Sequence, residues 1–66
     1  MLTAQLTEVD LVLLAHERRG NPSKVMAKLL GTTVSAIDSR FRRINSRLGV
    51  PTRKAAARLA AEYGLI

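Results

Sequence analysis

Chemistry in this 66-residue sequence is concentrated in arginine and serine. There is no cysteine and a single histidine, so neither a Cys/His metal cluster nor a Cys–His nucleophile can be assembled. His16 reads as a polar neighbour within its helix, without a metal partner. The eleven Lys and Arg are more telling, because they are unevenly distributed. Residues 1–17 contain Glu8, Asp10 and Glu17 and no base, whereas residues 18–58 contain all eleven bases and only Asp38. The central stretch, with ten more bases than acids, suits a polyanionic partner. Its densest part is Ser35, Ser39, Arg40, Arg42, Arg43, Ser46 and Arg47.

Spacing decides what those residues can do together. At about 100° per residue, Ile37, Phe41, Ile44 and Leu48 form one apolar stripe. Ser35, Ser39, Arg42 and Ser46 fall opposite it, with Arg40, Arg43 and Arg47 on one flank and Asp38 and Asn45 on the other. Three short hydroxyls around one long guanidinium make a ridge slim enough for a DNA major groove. Serine can meet donors or acceptors on the groove floor, and arginine suits the paired acceptors of guanine. Ser35, Asp38, Ser39 and Arg42 are therefore the expected base-reading residues, and Thr33, Arg40, Arg43 and Arg47 the expected phosphate contacts. Asp38 has two possible roles. Four residues before Arg42, it could orient that side chain by an ion pair, or it could accept from a cytosine amino group. Phe41 and Tyr63 are the only aromatic residues, too few for a single-strand stacking platform.

The elements that would position this ridge are marked by the breakers. Gly20-Asn21-Pro22, Gly31-Thr32-Thr33, Gly49-Val50-Pro51-Thr52 and Gly64 pair helix-stopping glycines with capping residues. They delimit helices over about 7–19, 22–30, 33–48 and 52–63. Thr7 with Asp10 approximates a capping box, Asn21 caps a helix opening at Pro22, Thr32 or Thr33 caps the third helix, and Thr52 caps the fourth. The expected buried faces are Leu6, Val9 and Leu13 in the first helix, and Val25, Met26, Leu29 and Leu30 in the second. No strand pattern, internal repeat or low-complexity linker is visible. A short helix, a turn around glycine and a longer basic helix follow the helix-turn-helix order. In the fourth helix Ala56, Leu59, Ala60 and Tyr63 share one face, and their small size predicts a symmetric dimer interface.

These residues also carry a family resemblance. Met26-Ala27-Lys28-Leu29-Leu30-Gly31, Ala36-Ile37, Ile44, Arg47-Leu48-Gly49-Val50, Thr52-Arg53, Ala56, Leu59-Ala60 and Gly64-Leu65-Ile66 resemble the LuxR/GerE-type helix-turn-helix, with Leu6-Thr7 at the front. The match runs over residues 6–66 without a gap. It implies an all-α, four-helix DNA-binding domain, with the third helix reading DNA and the fourth pairing with a second copy. Lys24 falls where the family commonly has a backbone-contacting lysine. Asp38 stands where lysine is usual, Arg40 where histidine is frequent, Ala36 in place of threonine and Ala55 in place of glutamate.

The resulting expectation is a single domain over residues 1–66 that acts as a stand-alone, sequence-specific regulator of transcription. It would bind double-stranded DNA as a homodimer, with the helix over 33–48 in the major groove. Two alternatives are an antagonist that heterodimerises with a larger regulator and a polymerase-associated module like sigma region four. RNA polymerase or a larger regulator are possible partners. No enzyme activity, cofactor, metal or small-molecule ligand is expected. The longest apolar run, Leu11 to Ala15, is too short for a membrane span, and Met1-Leu2-Thr3 has no basic leader, so the cytoplasm is expected, in a bacterial, phage- or plasmid-type setting.

Overall fold

The computed structural model describes residues 6–66. Its elements are α1 (Glu8–Arg18), α2 (Ser23–Leu30), α3 (Val34–Leu48) and α4 (Arg53–Glu62), with no strand among the described residues. The fold is all-α, as the periodicity predicts, and each helix begins and ends within a residue or so of its expected bounds. Residues 1–5, including the Met1-Leu2-Thr3 start, lie outside the described residues.

Local chemistry accounts for most of the boundaries. Thr7 and Asp10 form a complete capping box: the Thr7 N–H donates to Asp10 Oδ2 at 3.0 Å, and the Asp10 N–H donates to Thr7 Oγ1 at 3.1 Å. Thr33, rather than Thr32, caps α3 by accepting from the Ala36 N–H at 3.1 Å, and Thr52 does the same for α4 through the Ala55 N–H, also at 3.1 Å. Gly31 and Gly49 end α2 and α3 at φ 66° and 69°, a left-handed conformation that a Cβ disfavours. The start of α2 departs from expectation. Pro22 is the N-cap and makes no side-chain cap bond. The Asn21 side chain is instead drawn back to α1, with Nδ2 lying 2.9 Å from His16 Nδ1 and donating when that ring nitrogen carries no proton.

One core unites the four helices: Leu13 and Leu14 from α1, Met26 and Ala27 from α2, Ile37, Phe41 and Ile44 from α3, and Ala56, Ala57 and Ala60 from α4. Three alanines let α4 lie close against α1, its main neighbour, while α2 packs on α3. The α3 stripe is buried as predicted, with Leu48 half-buried at its end.

The other two stripes are corrected. Val9 is 40% exposed, and Asp10 takes the inward position at the start of α1, only 2% exposed. A carboxylate can be buried there because the Thr7 N–H and two arginines of α3 satisfy it. In α2, Met26 and Ala27 point inward while Val25, Leu29 and Leu30 remain exposed. An eight-residue helix packed mainly on one neighbour has only a narrow strip covered.

The alanine face of α4 is the larger correction. Ala56 and Ala60 have no exposed surface, because they face α1 within the same chain. They cannot also be the contact with a second copy. Leu59 is half-buried and Tyr63, just past the helix end, is 64% exposed. Ala60→Arg is therefore expected to unfold the domain. Forcing a guanidinium into the core costs several kcal/mol, comparable to the roughly 3–10 kcal/mol total stability of a domain this size. Circular dichroism at 25 °C should show lost helix. A variant that stays helical with an unchanged melting midpoint would overturn this packing.

Candidate nucleic-acid interface

The buried stripe of α3 fixes which side of the helix meets solvent. With Ile37, Phe41 and Ile44 in the core, Ser35, Ser39, Arg42 and Ser46 are all exposed on the opposite side. The ridge expected from spacing is therefore present as one continuous surface. Arg42 Nη2 donates to Ser39 Oγ at 2.9 Å, so the guanidinium leans one turn back along the ridge. Arg43 is exposed on the flank, Lys24 is exposed on α2, and Thr33 is exposed at the N-terminus of α3. Thr33 Oγ1 accepts a cap bond there but retains its own O–H to donate.

Two flank arginines are engaged elsewhere. Arg40 Nη1 donates to Asp10 Oδ1 at 3.3 Å, and Arg47 Nη1 lies 3.8 Å from Asp10 Oδ2. Their side chains remain 36% and 39% exposed, but their charge is directed towards a carboxylate that is 3% exposed. They clamp α1 to α3. Arg43 is the flank cation that faces outward.

Asp38 also departs from expectation. Rather than pairing with Arg42, Asp38 Oδ1 accepts from Ser23 Oγ at 2.8 Å and from Arg53 Nη1 at 3.2 Å. The residue that orients Arg42 is Ser39. Because its Oδ1 is taken by α2 and α4, Asp38 is left out of the reading set carried forward. Its role is to hold α3 in place.

Arg53 is the functional residue that pattern reading overlooks. Its Nε donates to Glu17 Oε1 at 2.8 Å, its Nη1 to Asp38 and its Nη2 to Ser23 Oγ at 2.7 Å, while its guanidinium carbon lies 4.1 Å from the centroid of the Phe41 ring. One side chain thus contacts all three other helices. A sequence signal did exist. Arg53 and Lys54 open α4, whose first turn has no acid, although the helix dipole there disfavours cations. A cation at the unfavourable end of a helix needs a partner, and Arg53 has three.

No protein-family model, curated protein or solved structure matches the chain. Among the described residues there is no metal-binding group of His, Cys, Asp or Glu, and no helix is long and apolar enough to cross a membrane.

Removing the Arg53 junction should be felt by the whole domain. Arg53→Ala is expected to cost about 1–3 kcal/mol, from charge-assisted bonds on partly exposed partners and the contact with Phe41. Arg53→Lys should recover less than half of that, since an ammonium cannot reproduce a planar three-way fork stacked on a ring. Urea denaturation checks both, and full rescue by lysine would contradict the geometry.

Proposed function

We propose that this protein is a sequence-specific double-stranded DNA-binding regulator of the LuxR/GerE helix-turn-helix type, with α3 inserted into the major groove. The observation that carries the reading is the exposed ridge Ser35, Ser39, Arg42 and Ser46, backed by a fully buried stripe and flanked by Arg43. The order of a short α2, a glycine turn and a longer basic α3 supports it. So does the excess of ten bases over acids across residues 18–58. A solvated bundle helix would need polarity on that side, but not a guanidinium held upright between serines with a second one beside it.

The reading assigns roles by position. Arg42 reaches the groove floor, where guanine presents two acceptors, with Ser35, Ser39 and Ser46 allowing close approach. Arg43, Lys24 and Thr33 hold the phosphate walls. Arg40 and Arg47 act mainly through Asp10, setting the rotation of α3. A homodimer would use what α4 still exposes, Tyr63 and part of Leu59, and would read two half-sites about 34 Å apart.

Binding to duplex DNA should weaken steeply with salt, by roughly a hundredfold between 50 and 200 mM if about six phosphates are contacted per dimer. A fluorescence anisotropy titration at several salt concentrations measures this, and a flat response would remove the proposal.

Reading and holding can then be separated. Arg42→Ala should cost roughly 1–3 kcal/mol per half-site and relax preference at one base pair. Arg43→Ala should weaken specific and random DNA by similar factors and leave the preferred sequence unchanged. Randomised-site selection with both variants and the parent compares them, and also reports whether half-sites recur one helical turn apart. An unchanged consensus for Arg42→Ala would refute its role as the reading residue.

A further inference from the structure

The α3 ridge leaves a second set of cations unexplained. Arg18 at the end of α1 and Lys54 and Arg58 on α4 line one open cleft of about 300 Å3, with Gly20, Ala57 and Glu17 completing its walls. Arg19 is exposed next to it. The carboxylate in that cleft, Glu17, is already bonded to Arg53 at 2.8 Å. Among the described residues, Arg18, Lys54 and Arg58 form no ion pair. Glu62, one turn beyond Arg58, is exposed and makes none either. Lys54 and Arg58 are one helical turn apart and so share a face of α4. Three like charges with no counter-charge repel one another, and a polyanion would relieve that repulsion.

The position of the cleft matters as much as its charge. The inward stripe of α3 packs on a core supplied largely by α1 and α4, through Leu13, Leu14, Ala56, Ala57 and Ala60. Those helices therefore lie behind α3 as seen from the serine ridge, and no α3 residue lines the cleft. The domain measures 29 × 20 × 20 Å, so the two basic surfaces are separated by the thickness of the core. That distance exceeds the Debye length of about 8 Å at physiological salt, and each surface acts on its own phosphates.

We infer that the Arg18–Lys54–Arg58 cleft holds the backbone of a second DNA duplex, so that one domain bridges two duplexes. The inference rests on the proposal that α3 binds the first. A duplex fits better than an acidic protein. Apart from the charged side chains, the lining is only glycine and alanine, which offers a protein partner no apolar anchor. Phosphates need accessible cations and nothing more, so this second contact is independent of sequence.

The test uses the full chain with two copies of one duplex, one fixed to beads and one labelled in solution, at about 150 mM salt. The parent protein should retain the labelled duplex. The triple variant Arg18→Ala, Lys54→Ala and Arg58→Ala, its fold verified by circular dichroism, should retain about tenfold less. Its affinity for a single duplex should change by no more than about threefold, since the removed charges are screened from α3. The charge-keeping variant Arg18→Lys, Arg58→Lys should bridge like the parent. Equal retention by the triple variant overturns the inference. So does a loss of single-duplex affinity as large as the loss of bridging, which would place the cleft on the same duplex as α3. A parent that binds one duplex saturably but retains no second refutes bridging alone. A parent that binds no duplex refutes the role of α3, and bridging with it.

Discussion

The Arg53 guanidinium is the junction on which the arrangement of the helices depends. A chain this short buries few large side chains, here Leu13, Leu14, Met26, Ile37, Phe41 and Ile44, so apolar area alone leaves the helices weakly specified. Arg53 supplies direction. Its three donor nitrogens reach Glu17 of α1, Ser23 of α2 and Asp38 of α3, while its plane covers the Phe41 ring at the centre of the core. Hydrogen bonds from a planar fork are met only at one relative placement of the four helices, whereas apolar contacts tolerate sliding and rotation.

Asp10 makes a second junction further along α3. It closes the capping box of α1 and also receives Arg40 and faces Arg47. A buried carboxylate with several partners is poor evidence of net stabilisation, because desolvation offsets much of the attraction. Losing a partner is costly all the same, and that asymmetry penalises any rotation of α3 away from α1. Asp38 and Arg53 hold α3 from one flank, and Asp10 with Arg40 and Arg47 holds it from the other. The ridge between those flanks is therefore rigidly presented, which suits surface recognition, since little order has to be imposed on binding.

This arrangement divides the arginines of α3 by task. Arg40 and Arg47 turn towards α1, and Arg42 and Arg43 face solvent. Adjacent residues in one basic run thus serve different ends, decided by about 100° of helix rotation per residue and by where the acids of neighbouring helices lie. The same logic separates Arg53, which is bonded on every side, from Lys54 next to it, which stays in an uncompensated basic cleft.

What the sequence by itself determined was the local part of this protein. Helix number and limits follow from capping threonines, stop glycines and apolar periods, all of which act within a few residues. The Thr7–Asp10 box, the Thr33 and Thr52 caps, the buried α3 stripe and the serine ridge opposite it were legible for that reason. Tertiary structure alone decided whatever required a partner distant in the chain. Asp10 looked like a capping acid and is also a core residue, because Arg40 and Arg47 lie thirty and more positions away. Asp38 pairs with Arg53 and Ser23 rather than with Arg42. The alanines of α4 look the same in sequence whether they face a second copy or α1, since small size permits close approach to either. Only the packing of α1 showed that Ala56 and Ala60 are spent inside the chain. Periodicity says which residues share a face, but not what that face meets, because the energy of burial depends on the neighbour and not on the spacing.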